Sequence, residues 1–106
     1  MRLACPHLHG EVVLTPERER HIQERHPDLL PKYRARIAET LADPDQVRRG
    51  AHLGNARLFS RWFDDIIGGK HVVVVVISEV ATGRHWMITA YLVRKLGPGD
   101  VEWKRN

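Results

Sequence analysis

The 106 residues suit one domain, and a chain of this length buries roughly 65% of the surface its unfolded form exposes, enough for one sheet and a few helices. With 42% apolar and 28% charged residues the composition is globular, which excludes a disordered chain, and the longest apolar run, Val72 to Ile77, is far too short to span a bilayer. A formal charge of +4 and a pI near 9.7 favour a polyanionic or acidic partner, with nucleic acid and an acidic protein both open.

The single Cys5 cannot form an internal disulfide, and the opening "MRLACPHLHG" lacks the longer apolar core of a signal peptide, so a cytoplasmic location is expected. "EVVLT" (11–15) reads as a short strand. "TPERERHIQERH" follows, with Thr15 as N-cap, Pro16 at the first helical position and Glu17 near the positive end of the dipole, which predicts a helix from Pro16. His26-Pro27 ends or kinks it, because a proline disfavours the helical conformation in the residue before it. In "PKYRARIAETLADP", Tyr33, Ile37 and Leu41 recur at i, i+4 and i+8 with Ala38 beside them, and Asp43-Pro44 stops this second amphipathic helix, which is expected to lie against a sheet.

After a connection over 43–56 the period changes from helical to alternating. "ARLFSRWF" sends Leu58, Ser60 and Trp62 to one face of a strand and Arg57, Phe59, Arg61 and Phe63 to the other. "DDIIGGK" reads as a hairpin loop, and "HVVVVVIS", β-branched on both faces, as a central strand. "ATGR" turns the chain into another strand, "HWMITAYLVRKL", and "GPGDVEWKRN" is a short extra strand or a frayed end. The predicted class is α+β, a single domain over 1–106: an N-terminal strand and two helices, then a three- to four-stranded antiparallel sheet.

In the last long strand Trp86, Ile88, Ala90 and Leu92 share a face that wants a helix against it, while His85, Met87, Thr89, Tyr91 and Val93 share the other. If the strands pair as a meander, Arg57 and Arg61 can turn toward Thr89 and Tyr91, setting guanidiniums beside a hydroxyl and a phenol. Such a fork of donors suits phosphate oxygens, although the wet face of an ordinary antiparallel sheet has the same composition. On the first helix Arg18, His21 and Arg25 form one stripe at i, i+3 and i+7, with His26 beside Arg25. An imidazole can take a proton from a ribose 2′-hydroxyl or give one to a leaving 5′-oxygen, but each histidine taken alone also reads as an ordinary surface or helix-end residue.

Cys5, His7 and His9 alternate in "CPHLH", yet no HExxH or paired CxxC occurs, and His21 and His26 at i, i+5 splay apart on a helix. Ser60 and Ser78 lie in no G-x-S-x-G turn, and neither "GNARLF" nor "IIGGKH" matches a phosphate-binding glycine loop.

The series "RHIQERHPDLL", "AETLADPDQVRR", "ARLFSRWF", "KHVVVVVIS" and "MITAYLVRKL", from about Thr15 to Leu96, resembles the phage- and toxin-associated branch of the barnase-EndoU-colicin-RelE-like nuclease superfamily. The resemblance implies that fold with a core over about 12–96, and a metal-independent endoribonuclease of toxins or mobile elements that needs no cofactor. By it, His21 and His26 match helix histidines, Arg57 and Arg61 basic strand positions, and Thr89 and Tyr91 a polar pair on the last strand. Catalytic residues there lie on the open face of the sheet, so His21 reaches them only if the first helix crosses a sheet edge or end.

The leading expectation is RNA cleavage by 2′-hydroxyl transesterification. His21, His26, Thr89 and Tyr91 would be catalytic, and Arg18, Arg25, Arg57 and Arg61 would hold phosphates, without a metal. Its expected partners are RNA, an acidic antitoxin or immunity protein and, from the two-sided apolar Val72 to Ile77, a second copy of the chain; no membrane is expected. The alternative from another class is a non-catalytic domain of the same fold that binds RNA or an acidic protein, and a lower-ranked one is a metal-dependent hydrolase built on Cys5, His7 and His9.

Overall fold

A computed structural model describes residues 1–50 and 55–106; residues 51–54, inside the predicted 43–56 connection, lie outside the described set. The first helix, α1 (Pro16–Arg25), begins where its signals place it: the Thr15 side chain accepts from the Arg18 N–H at 3.2 Å, and Glu17 and Glu19 occupy the first turn. It ends on His26, whose N–H reaches the Ile22 carbonyl at 2.7 Å before Pro27 forbids a further turn. The second helix, α2 (Arg34–Ala42), buries Ile37, Thr40 and Leu41 and stops at Asp43 before Pro44.

The sheet corrects the predicted three- to four-stranded antiparallel one. It has seven strands and is mixed: β1 (Arg2–Cys5), β2 (Gly10–Val13), β3 (Gln46–Arg49), β4 (Ala56–Phe63), β5 (Lys70–Glu79), β6 (Arg84–Val93) and β7 (Asp100–Lys104), in the order β1-β2-β6-β5-β4-β3-β7. The long strands β4, β5 and β6 form the expected meander. Of the others, the predicted "EVVLT" strand is β2 and the tail forms β7, while β1 and β3 escaped because each has only four residues, too few for alternation to stand out from a loop. β3 lies within the presumed connection, and β2 pairs parallel to β6 through two residues, Val12 with His85 and Val13 with Trp86.

That short pairing leaves the β6 edge free of a strand from Met87 onward, and α1, which follows β2 directly, packs there against β6. Helix α2 instead covers β1, β4 and β5. Beneath the helices, Ile22, Leu29, Leu30, Ile37 and Leu41 meet Phe59, Phe63, Val72, Val74, Val76, Met87 and Ala90 in the main core. The other face of the sheet carries a smaller cluster, in which Leu58, Ile77, Ile88, Tyr91, Val93 and Leu96 pack on buried Ala56, Val73 and Val75.

The segment 94–99 produces that second cluster. β6 and β7 are four strand spacings apart, roughly 19 Å, while the seven steps from Val93 to Asp100 reach at most about 25 Å. The chain must therefore cross β5, β4 and β3 nearly extended, on the face away from the helices. It ends on Gly99, whose φ of +152° no side-chain-bearing residue adopts easily, and where an added Cβ would stand 2.8 Å from the Arg49 carbonyl oxygen.

Among the described residues no helix is long and apolar enough to cross a membrane. Phe59, fully buried between α2 and the sheet, should cost about 3–5 kcal/mol when replaced by alanine, whereas the 96%-exposed Val80 should move stability by no more than about 0.5 kcal/mol. Urea denaturation of the two variants beside the parent measures both.

Candidate functional site

On the face away from the helices lies a cavity of about 400 Å³, lined by Arg48, Leu58, Val75, Thr89 and Tyr91 and roofed by Gly97 and Pro98. Thr89 reaches it because β6 is bulged: Val75 pairs with Thr89 and Val76 with Met87, so Ile88 is an extra residue. The bulge breaks the alternation predicted for this strand. Trp86, Ile88, Thr89, Tyr91 and Val93 turn to the cavity face, and Met87, Ala90 and Leu92 to the helices.

Arg48 is 3% exposed, and its guanidinium Nη1 donates to the carbonyls of Gly97 and, at 3.3 Å, of Pro98. Its Nε has no partner, and no described carboxylate pairs with it. A buried cation without a counter-ion is costly, so the cavity is a place where an anion would be stabilised.

The sheet edge brings His26 to the same place. At the end of α1 its imidazole lies 5.9 Å, centroid to centroid, from the Tyr91 ring. Glu19, on one flank of α1, binds Arg34 at the start of α2. At about 100° per residue, Arg18, His21 and Arg25 occupy the opposite flank, all exposed. Among the described residues no hydrogen bond, ion pair or ring contact joins the side chain of Arg18, His21 or Arg25 to the cavity, whereas His26 reaches Tyr91.

Arg57 and Arg61 do not join this group. They alternate with Phe59 and Phe63, and those rings are buried beneath the helices, so both guanidiniums go to the helix side. Arg61 lies over the Phe63 ring at 5.3 Å and bonds the Asp43 carbonyl at 3.3 Å. Arg57 bonds Glu102 of β7 at 2.9 Å, together with Arg49 at 2.9 Å and His7 Nε2 at 2.7 Å. The His7 ring sits edge-on to Phe59, centroids 5.7 Å apart, and 6.1 Å from Trp103. Burial pushes the Glu102 carboxyl up, but the hydrogen bonds from His7 and Arg57 and the charges of Arg57 and Arg49 prevail and hold it at about 2. This cluster ties β7 to β3, β4 and the turn after β1.

Cys5, His7 and His9 do not converge either: Cys5 is buried in the main core, His7 faces Glu102, and His9 sits in a left-handed turn. Among the described residues no group of three or more His, Cys, Asp or Glu side chains is placed to hold a metal ion. The site residue that sequence reasoning missed is Arg48. The signal was the alternation of "QVRR", Val47 inward and Arg48 outward, within a segment taken for a connection.

No family model, no curated protein and no solved structure matches the chain. The Glu102 cluster carries a pH dependence. Its folded pKa, about 2, lies below the ordinary 4.5, so its contribution is complete above 4.5 and is lost as the pH falls through that interval toward 2. Glu102→Gln should remove this acid-sensitive part of stability, seen as a shallower pH dependence of the urea midpoint between pH 5 and 2; superimposable pH profiles for variant and parent would contradict it.

Proposed function

We propose that the chain is a ribonuclease that cleaves RNA without a metal, by attack of a ribose 2′-hydroxyl on the adjacent phosphorus. The 2′-oxygen–phosphorus bond forms as the bond to the 5′-oxygen breaks, leaving a 2′,3′-cyclic phosphate and a 5′-hydroxyl. Arg48 binds the phosphate and offsets charge building on its oxygens, and the Thr89 hydroxyl fixes its orientation. His26 exchanges a proton with the reacting oxygens, and the Tyr91 phenol beside it aligns the ribose or carries the second proton. Arg18, His21 and Arg25 lead the strand to the groove as a basic flank.

The observation that carries this reading is the meeting of a buried, uncompensated guanidinium with Thr89 and Tyr91 in one cavity, with His26 in contact at its edge. The resemblance in the order of motifs points to the same chemistry, and an acidic inhibitor protein is the partner it would bring. The arginine role passes from Arg57 and Arg61 to Arg48, and the leading histidine is His26 rather than His21.

Incubation of a mixed RNA pool with the protein in EDTA should give fragments ending in 2′,3′-cyclic phosphate. Removing the acid–base group in His26→Ala should slow this by about 10²- to 10⁴-fold, and Arg48→Ala should also lower the rate, while His21→Ala costs less than either. RNA left intact by the parent, or bound without cleavage, would rule the catalytic reading out.

A further inference from the structure

Among the described residues three buried side-chain atoms have no hydrogen-bond partner: Arg48 Nε, Ser60 Oγ and His71 Nδ1. All three belong to the cavity face. Arg48 pairs with Leu58, Ser60 with Val73, and His71 with Trp62 and Val93, and Leu58, Val73 and Val93 are members of the small cluster there. They lie on adjacent strands β3, β4 and β5 in a diagonal line. From the strand spacing and a two-residue advance, each step is roughly 8 Å. Buried polar groups are normally satisfied, and three failures on one face mark a surface made for something other than its present cover.

That cover is the strap 94–99, and it is lightly held. Leu96 is its one apolar side chain in the cluster, Gly97 and Gly99 flank Pro98, and Arg48 Nη1 supplies its side-chain hydrogen bonds. Among the described residues no backbone hydrogen bond outside the strand ladders involves 94–99. Beyond it, β7 is an edge strand with every residue exposed, fastened by the β3 ladder, by Glu102 and, just after its end, by Arg105, which bonds Asp43, Pro44 and the Asp45 carbonyl. At the far end of the diagonal the Trp62 ring, 39% exposed, meets His71 edge-on with centroids 4.8 Å apart. A polar line ending at an exposed indole is what single-stranded nucleic acid needs: backbone contacts along a groove and an aromatic face for a base.

Resting on the ribonuclease reading above, we propose that Arg48, Ser60 and His71 form a binding stripe for single-stranded RNA, occupied at rest by the 94–99 strap, which leaves with β7 as RNA binds. The strap makes the resting protein self-covered: carbonyls of Gly97 and Pro98 stand where phosphate oxygens would. RNA replaces them and supplies partners for the three orphaned atoms, and Glu102 sets how readily β7 lets go.

The test is binding of a fluorescein-labelled, uncleavable 2′-O-methyl oligoribonucleotide to parent, Glu102→Gln and Ser60→Ala proteins, with hydrogen exchange followed by mass spectrometry. On binding, amides of 100–104 should lose protection while those of 72–76 keep it. Glu102→Gln, by raising the open fraction, should bind about fivefold tighter or better. Ser60→Ala should bind more weakly although its urea midpoint does not fall, since it loses an unpaired hydroxyl; a purely structural serine would not move affinity. If the oligonucleotide binds all three alike and 100–104 stays protected, the strap and stripe are wrong and the ribonuclease reading stands. If none binds while exchange shows β7 loosened in Glu102→Gln, the RNA reading itself fails and the stripe with it.

Discussion

The chain leaves β6 near one side of the sheet and must build β7 at its far edge, with three strands in between. Six residues have to make that crossing, and they can do so only nearly straight. This one constraint decides what the molecule does with its second face. A sheet with helices on one side would leave the other wet; here the crossing segment lies over it, so Val73 and Ala56 become as buried as the residues under the helices.

Strand β5 is the element that answers this requirement. Val72, Val74 and Val76 face the helices and Val73 and Val75 face the strap, so the run is apolar on both sides because both sides are covered by its own chain. The six consecutive β-branched residues from Val72 to Ile77 are stiff at χ1 and fit a pleated surface. Their pairing with β4 and β6 holds the bulge at Ile88, which turns Thr89 toward Arg48's side of the sheet.

Much of this was legible in the sequence where local chemistry is strong. Thr15 and Pro16 mark the start of α1, His26-Pro27 its end, Asp43-Pro44 the end of α2, and alternation finds the three long strands. What was not legible depends on pairing between distant residues. "QVRR" is too short to announce a strand, and its value comes from lying beside β4. Alternation groups Arg57 with Phe59 but does not say which face the helices take; the burial of Phe59 does. The parity of β6 fails at Ile88 because a bulge is a property of two strands together. For the site, residue types were readable and their company was not: Thr89, Tyr91 and His26 meet, while Arg57 and Arg61 turn to carboxylates.

That sorting of arginines gives the excess positive charge a place. Many guanidiniums away from the cavity are paired: Arg57 and Arg49 share Glu102, Arg61 and Arg105 share Asp43, Arg36 meets Glu39 and Asp65, and Arg34 meets Glu19. Among the described residues no ion pair involves Arg18, Arg25, Arg48, Arg94 or Lys95, which line the α1 flank, the cavity and the strap. A net charge of +4 spread evenly would say little about a partner. A guanidinium buried in the cavity, with Arg94 and Lys95 unpaired on the strap over it, gives a local field that draws a polyanion to the face where hydrogen-bonding atoms stand unfilled. Arg48 belongs to both sets, so the buried cation without a counter-ion and the polar atoms without partners meet in one residue, with Ser60 and His71 on the same face.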